Sequence, residues 1–257
     1  MRNPGPPIGG HGPLFMLRLR NGGSRALSKR DRCSYFHAIF VVGTLDTRML
    51  PDTDPVESEA EELCATARWC YTRGWVPATS GNFSMRAGSR ILVTPSGLDK
   101  GRLTRDDLLE VDGEGHAVTA NGKPSAETGL HLVLYEARPH AHAIVRVHTV
   151  WNTLLSGRFA PRGFLHLEGY EILKGLSGVA THDHVERIPI LNNSQDYAGL
   201  CRDLAATLEK NPGAHGVLLS RHGLYTWGQS VAEARRHLEV MEFLFEVEGR
   251  RLTGVGI

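Results

Sequence analysis

The 257-residue sequence has no apolar run near the roughly 18 residues that a membrane-spanning helix needs. Its longest candidate, residues 35–45, is too short. It also lacks a strong charge of either sign, with 29 Lys and Arg against 28 Asp and Glu. A nucleic-acid-binding protein is expected to carry a basic face. We therefore expect neither a membrane nor a nucleic-acid partner.

Cysteine is scarce, and the four cysteines form no CxxC pair and no regular disulfide framework. That usage is typical of a reducing compartment in which thiols stay free. A signal peptide is also not indicated, because the Gly/Pro-rich stretch 3–13 comes first and the apolar run comes late. We therefore expect a cytoplasmic protein.

The N-terminal segment differs in charge from the rest of the chain. Residues 1–48 carry eight Lys and Arg against two Asp, which leaves residues 49–257 net acidic. We expect residues 1–50 to be a disordered or non-native extension, for instance through translation from a start codon upstream of Met49. A targeting or partner-binding tail is the alternative. The catalytic domain is expected at residues 51–257.

Helix and strand signals alternate from residue 54 onward. Asp54 is placed to cap a helix that stops at Gly74, and Ser125 to cap one that Pro139 closes. Further elements are expected as follows: strands at 82–86, 90–94, 143–148 and 186–190, hairpins within 108–125 and 215–228, and helices at 168–176, 195–210 and 230–251. The strand signals are mostly antiparallel. The sequence therefore predicts one α/β domain with a central, mostly antiparallel sheet between helical layers.

Three short turns combine small residues with free backbone N–H groups: TSGNFS (79–84), TPSGL (94–98) and KPSAE (123–127). Such turns bind anions, and the last one also opens a predicted helix, where the helix dipole attracts phosphate. Each turn alone is commonplace. Because three occur in one domain without a Walker or GxGxxG pattern, they favour a small phosphorylated ligand.

Histidines and carboxylates supply the candidate reactive groups. The pair Arg146 and His148 shares one face of a predicted strand, since side chains two apart point the same way. The other candidates are the HAH (140–142) and HDH (182–184) pairs, the lone His222, and the helix-associated glutamates Glu127 and Glu171. Taken singly, each is typical of a structural role.

Six fragments in this order resemble the class II aldolase/adducin superfamily: RGWVPATSGNFSMR, ILVTPSGLDKG, KPSAETGLHLVLY, VHTVWNTLLS, GYEILKG and SRHGLYTWG. The resemblance covers roughly residues 57–248. Within the superfamily, the sequence most resembles a branch of enzymes that dehydrate a phosphorylated ketose. It implies a Zn²⁺ ion held by three histidines. His148 and His222 match two of them, and the third position falls on Arg146.

The resemblance also implies roles for other residues. Phosphate binding is implied for Gly81, Asn82, Ser96, Gly97 and Ser125. Glu171 matches the acid/base glutamate of the dehydratase branch, and we expect it to lie in a dry pocket that raises its pKa. Glu127 matches the carboxylate that aldolase relatives place beside the metal. A homotetramer with sites between subunits is implied as well.

Arg146 conflicts with a metal because arginine does not deprotonate to become a ligand. Three outcomes are open: the arginine turns outward and Glu127 or water replaces the lost ligand, the arginine itself acts as a fixed cation, or the position is a sequence variant. The functional alternatives to a dehydratase are a sugar-phosphate aldolase or epimerase, and a metal-free, non-catalytic domain like that of adducin.

Overall fold

The computed structural model describes residues 54–119 and 122–254. The extension predicted for residues 1–50 and the domain start at 51 lie outside the described residues. Within them there are five α-helices: α1 (Pro55–Thr72), α2 (Thr128–Ala137), α3 (Val150–Phe159), α4 (Tyr197–Lys210) and α5 (Val231–Leu252). None of these helices combines the length and the apolar character that crossing a membrane requires.

In the described part of the chain, eight strands form one sheet in the order β3-β2-β1-β4-β8-β7-β6-β5. Their bounds are β1 (Asn82–Ala87), β2 (Arg90–Val93), β3 (Leu109–Val111), β4 (Ala143–Val147), β5 (Phe164–Glu168), β6 (Val185–Leu191), β7 (Gly216–Leu219) and β8 (Gly223–Gly228). Only β6 and β7 pair in parallel, and every other neighbouring pair is antiparallel. The predicted fold class is confirmed.

The helices form a layer on each face of the sheet. One core cluster joins apolar side chains of α1, α3 and α5 to the sheet, and a second joins those of α2 and α4 to its other face. The strand β4 lies in the middle, and all five of its residues are buried. Val145 and Val147 belong to the first cluster and Ile144 to the second. Because side chains alternate along a strand, Arg146 points to the α2/α4 side with Ile144.

The ends of the first helix follow the sequence signals. The Asp54 carboxylate accepts a hydrogen bond from Val56 N at 3.0 Å, and Gly74 has a φ of +70° just after the helix ends. The second helix differs from the prediction, because it begins at Thr128 and Ser125 does not cap it. Ser125 instead closes a separate turn, in which its carbonyl accepts from Thr128 N.

Two predicted elements are wrong. The predicted hairpin within 108–125 has one strand, β3, which pairs with β2, and its second half makes only a bridge between Val111 and Ala117. The predicted helix at 168–176 is instead the end of β5 followed by a 3₁₀ turn at Glu171–Gly175. Gly169, with a φ of +78°, separates the two, a conformation that the interior of a right-handed helix does not allow.

Glu242 of α5 is a carboxyl buried under the start of α3. It accepts hydrogen bonds from Thr149 Oγ1 at 2.7 Å and from Asn152 Nδ2 at 2.8 Å. The Thr149 hydroxyl also caps α3 by accepting from Asn152 N. Burial raises the pKa of Glu242 to about 7, and the two hydrogen bonds only partly oppose it.

This raised pKa predicts a pH-dependent stability. Between the ordinary value of 4.5 and about 7, the folded state holds a proton that the unfolded state has lost. Stability therefore falls as pH rises through that window and stays low above it. A Glu242→Gln variant removes this loss, and we expect it to be more stable than the unaltered chain at pH 8 by up to about 3 kcal/mol.

The measurement is urea unfolding at pH 4.5 and pH 8. The gain should vanish at pH 4.5. Glu239→Gln, at a partly exposed position of the same helix, is the matched control and should leave the pH profile unchanged. An equal gain for Glu242→Gln at both pH values would contradict the assignment.

Candidate active site

A cavity of about 300 Å³ opens on the α2/α4 side of the sheet, at the ends of β1 and β4. It gathers most of the residues that the sequence singled out. Its lining includes Gly81, Asn82, Ser96, Gly97, Ser125, Glu127 and Arg146. All five residues that the resemblance assigned to phosphate thus line one cavity with Glu127 and Arg146, whereas Glu171, His148 and His222 are not part of its lining.

The turn 77–81 forms one wall of the cavity with an unusual backbone. Ala78 and Thr79 have φ values of 53° and 63°, and Gly81 has 79°. A Cβ on Gly81 would lie 3.1 Å from the Arg146 carbonyl oxygen and would overlap Val76. Ser80 Oγ is buried without a hydrogen-bond partner. A buried donor without a partner is costly, so this hydroxyl is ready to bond a ligand in the cavity.

Lys100 is a cavity residue that the sequence reasoning missed. Its side chain is buried, and its Nζ donates to Leu98 O at 2.8 Å and Thr79 O at 3.3 Å. Burial lowers the pKa of this amine to about 8, with Asp99 opposing the shift and Arg146 adding to it. Because an anion nearby would restore its charge, Lys100 suits a phosphate site. The sequence signal for Lys100 is its position three residues after the TPSG turn.

The Arg146 guanidinium lies between the two histidines that were expected to bind zinc. Its Nη1 donates to His148 Nδ1 at 3.1 Å, and its Nη2 donates to His222 Nε2 and to Glu127 Oε1, the latter at 3.1 Å. The ring centroids of His148 and His222 are 5.1 Å apart. The face of Tyr225 lies 5.7 Å from the guanidinium carbon. The two rings thus face a common point, which the arginine occupies.

The protonation states suit this arrangement. Burial lowers the pKa of His148 to about 3, and the charge of Arg146 adds to the effect. Burial and then Arg146 lower the pKa of His222 in the same way. Both rings are therefore neutral near pH 7 and can accept from the guanidinium.

A chain of hydrogen bonds holds Glu127 in place. Asn82 Nδ2 donates to Glu127 Oε2 at 2.7 Å, and Asn82 Oδ1 accepts from His131 Nε2 at 2.6 Å. Ser84 Oγ contacts the other nitrogen of His131 at 2.7 Å. Burial raises the pKa of Glu127, but the charge of Arg146 and the Asn82 bond outweigh it, and the net pKa is lowered. His131 was also missed, although its i, i+4 spacing from Glu127 was a signal.

The outward-turning arginine considered for position 146 is therefore wrong. Its side chain is buried beside Glu127, which is its ion-pair partner rather than a substitute metal ligand. A zinc ion at this point does not fit the residues present, because the guanidinium takes the imidazole nitrogens that would bind it. Within the described residues, the one trio of His and carboxyl groups with ligand atoms within 4.8 Å of one another lies elsewhere, at His184, Glu186 and His215.

Glu171 does not lie in the dry pocket that was expected. Its side chain is 70% exposed and pairs with Lys174 and, at 3.7 Å, with His182. The Lys174 bond and charge lower the pKa of this carboxyl, so the expectation of a raised value is wrong for the single chain. The reason is that the segment is an exposed 3₁₀ turn and not a packed helix. Its neighbour Ile172 lines another cavity, of about 360 Å³, with Thr149.

The intact histidine pairs lie outside the cavity. His142 contacts Glu59 at 3.1 Å, and His182 contacts Glu171. His184 instead contacts Glu186 Oε2 at 2.9 Å. Neither pair lies beside His148 and His222.

The fold and the cavity define a member of the class II aldolases. The sequence model described as "Class II Aldolase and Adducin N-terminal domain" matches residues 61–248. The chain belongs to this family.

Within the family, the chain is similar to proteins named methylthioribulose-1-phosphate dehydratase. That of Stenotrophomonas maltophilia (strain K279a) is 44% identical over 214 residues, which cover 82% of this chain and 100% of that protein. That of Yersinia enterocolitica (serotype O:8 / biotype 1B) is 47% identical over 190 residues, covering 74% and 90%.

Solved structures share the fold at lower identity. L-fuculose-1-phosphate aldolase from Thermus thermophilus has a TM-score of 0.62 at 24% identity and covers 79% of this chain and 97% of that one. YgbL from Klebsiella pneumoniae, described as a putative aldolase/epimerase/decarboxylase, has a TM-score of 0.62 at 24% identity, covering 75% and 88%. These likenesses show the fold.

The buried ion pair predicts a strong effect of removing one charge. Arg146→Met leaves the Glu127 carboxylate buried without its cation, so we expect a loss of about 3–5 kcal/mol of unfolding free energy at pH 7. Urea denaturation measures it.

The matched control is the double variant Arg146→Met/Glu127→Gln, which removes both charges and should regain most of that stability. If both variants are equally destabilised, the loss comes from packing and the ion pair is not what stabilises the site.

Proposed function

We propose that this chain dehydrates 5-methylthioribulose 1-phosphate to 2,3-diketo-5-methylthiopentyl 1-phosphate, a step of methionine salvage. The observation that carries the proposal is the single cavity in which the phosphate turns meet Glu127 and Arg146. Relatives 44–47% identical to the chain carry the name of that dehydratase. The enzyme class is a carbon–oxygen lyase.

The phosphate end of the substrate is assigned to the turns. Backbone N–H groups around Gly97 and the hydroxyls of Ser96 and Ser125 offer donors, and Ser80 Oγ lacks any other partner. Lys100, which also lines the cavity, adds a positive charge. Hydrogen bonds to a charged group are typically stronger than hydrogen bonds between neutral groups. This supports the proposal that the substrate binds mainly through its phosphate.

The reaction needs a positive charge at the ketose carbonyl. A base removes the proton on C3, the electron pair forms an enediolate whose charge rests on the C2 oxygen, and the C4 hydroxyl leaves with a proton as water. The resulting enol becomes the diketone. A fixed cation facing the C2 oxygen lowers the energy of the enediolate because it requires no reorganisation. Arg146, held by Glu127, His148 and His222, supplies that charge here.

Zinc is the part of the family's chemistry that this site does not fit. The ion expected at His148 and His222 would polarise the carbonyl, but the guanidinium between the rings repels it. For a separation of about 5 Å and an effective dielectric of about 20, that repulsion is roughly 6–7 kcal/mol. The proposal therefore assigns no step to zinc at this site.

The base is proposed to be Glu171, which a single chain leaves exposed. A homotetramer with sites between subunits would bring the 3₁₀ turn of Glu171 against another copy. Large apolar side chains are exposed on α3, on the other face of the sheet, and would be covered in such an assembly, among them Val150 at 71% and Leu154 at 55%. These two lie one helical turn apart, so they form one apolar edge.

A metal-free, non-catalytic domain is the second candidate. One observation favours it: the Arg146 guanidinium lies between His148 and His222, where a metal would bind. The aldolase or epimerase alternative has no comparable support, because the aldolase neighbours share only the fold.

The test pairs turnover with metal content. The unaltered chain should dehydrate methylthioribulose 1-phosphate, and a chelator should leave its rate unchanged. Arg146→His completes the three-histidine set and should hold one more equivalent of zinc per chain than the unaltered protein. Its turnover should become chelator-sensitive.

Arg146→Lys is the matched control, since it keeps the charge but cannot bridge both rings, and its rate should fall at least tenfold. If the unaltered chain is inactive and Arg146→His is active, the non-catalytic candidate is correct for this chain. If none of the three turns over the substrate, the dehydratase proposal fails.

The phosphate assignment has its own test. Lys100→Met should raise KM for the phosphorylated substrate by about 10- to 100-fold, corresponding to a lost charged hydrogen bond. Steady-state kinetics measure it. Lys123→Met, an exposed lysine in the KPS turn, is the matched control and should leave KM nearly unchanged. Equal effects of both variants would contradict a specific role for Lys100.

A further inference from the structure

A second cluster of ionisable side chains lies at the other end of the sheet. His184 precedes β6, Glu186 is its second residue, and His215 precedes β7. Because β6 and β7 are the parallel pair, both begin at the same edge and bring the three side chains together. Glu186 is only 1% exposed. This cluster takes no part in the proposed dehydration.

One carboxylate oxygen of Glu186 contacts two histidine side chains. Its Oε2 lies 2.9 Å from His184 Nε2 and 2.9 Å from His215 Nδ1. Its Oε1 accepts from His215 N at 2.9 Å. The carboxylate is thus fixed by the backbone, while one oxygen faces two imidazole nitrogens.

The tautomer of His215 follows from its other nitrogen. Its Nε2 lies 2.8 Å from the carbonyl oxygen of Ser177, which can only accept, so Nε2 carries the hydrogen. A ring protonated on Nε2 alone presents the Nδ1 lone pair to the Glu186 carboxylate, whereas a doubly protonated ring donates a hydrogen bond to it. Two electron-rich atoms at 2.9 Å require a positive charge between them. The Ser177 carbonyl also orients the ring as the second sphere of a metal-bound histidine does.

The spacing suits a metal ion. Two ligand atoms each about 2.05 Å from a metal are about 2.9 Å apart when they meet at the right angle of an octahedral facial triad. All three ligand atoms lie within 4.8 Å of one another. His184 and His215 also line a cavity of about 560 Å³, which gives an entry path and room for further ligands.

We propose that His184, Glu186 and His215 bind a divalent transition-metal cation, with open coordination positions toward the cavity. Two histidines and one carboxylate on one side of the ion, with free positions opposite, form the arrangement of facial-triad metal sites. The site is separate from Arg146, and the proposal does not depend on the dehydratase activity.

Zinc binding to the metal-stripped full-length chain tests the proposal. Isothermal titration calorimetry with ZnCl₂ should show one equivalent per chain. Saturation at about 100 times Kd should raise the Tm by about 5 °C or more. His184→Ala, at a partly exposed position, and His215→Ala should each weaken binding at least tenfold. Circular dichroism establishes that each variant is folded.

Two controls separate this site from other histidines. His148→Ala should keep the equivalent of zinc, as should His116→Ala, whose exposed ring lies beside Asp112 and Glu114. The proposal is overturned if the unaltered chain binds no zinc, in which case a proton alone joins His215 to Glu186. It is also overturned if His184→Ala binds as tightly as the unaltered chain while His148→Ala does not.

Discussion

The ion pair between Arg146 and Glu127 is the constraint on which the site depends. Both side chains are buried, where an unpaired charge is expensive, so each holds the other in one position. Around the pair, His148 and His222 remain neutral acceptors, and Asn82 fixes the second carboxylate oxygen. The turn at Gly81 packs on the carbonyl of Arg146, which joins the phosphate wall to the same strand.

The placement of a guanidinium at this point changes what the family scaffold can do. Two imidazoles and a carboxylate converge as they would around a divalent ion, but the positive charge they meet is covalently attached. Such a charge cannot be lost to a chelator and cannot open coordination positions for substrate. It can stabilise an oxyanion by charge and hydrogen bonding, which is the weaker of the two ways to hold an enediolate.

Much of the fold and cavity could be predicted from sequence because the signals were local. The alternation of β4 placed Arg146 and His148 on one side, and the small-residue turns around Asn82, Ser96 and Ser125 did converge. Glu171 was misjudged because a helix and an exposed 3₁₀ turn give similar short patterns, and burial depends on packing partners distant in sequence. His131 and Lys100 do have local signals, but those signals do not reveal the roles, which come from contacts with residues 21 to 49 positions away. The trio at His184 depends on the parallel pairing of β6 and β7, which no local pattern indicates.

A crystal structure of the unaltered chain, grown with excess ZnCl₂ and measured on both sides of the zinc absorption edge, tests whether Arg146 excludes zinc from the two histidines. We expect guanidinium density between the rings of His148 and His222 and no anomalous peak there. An anomalous peak bound by both rings, with the arginine side chain displaced from Glu127, would contradict it.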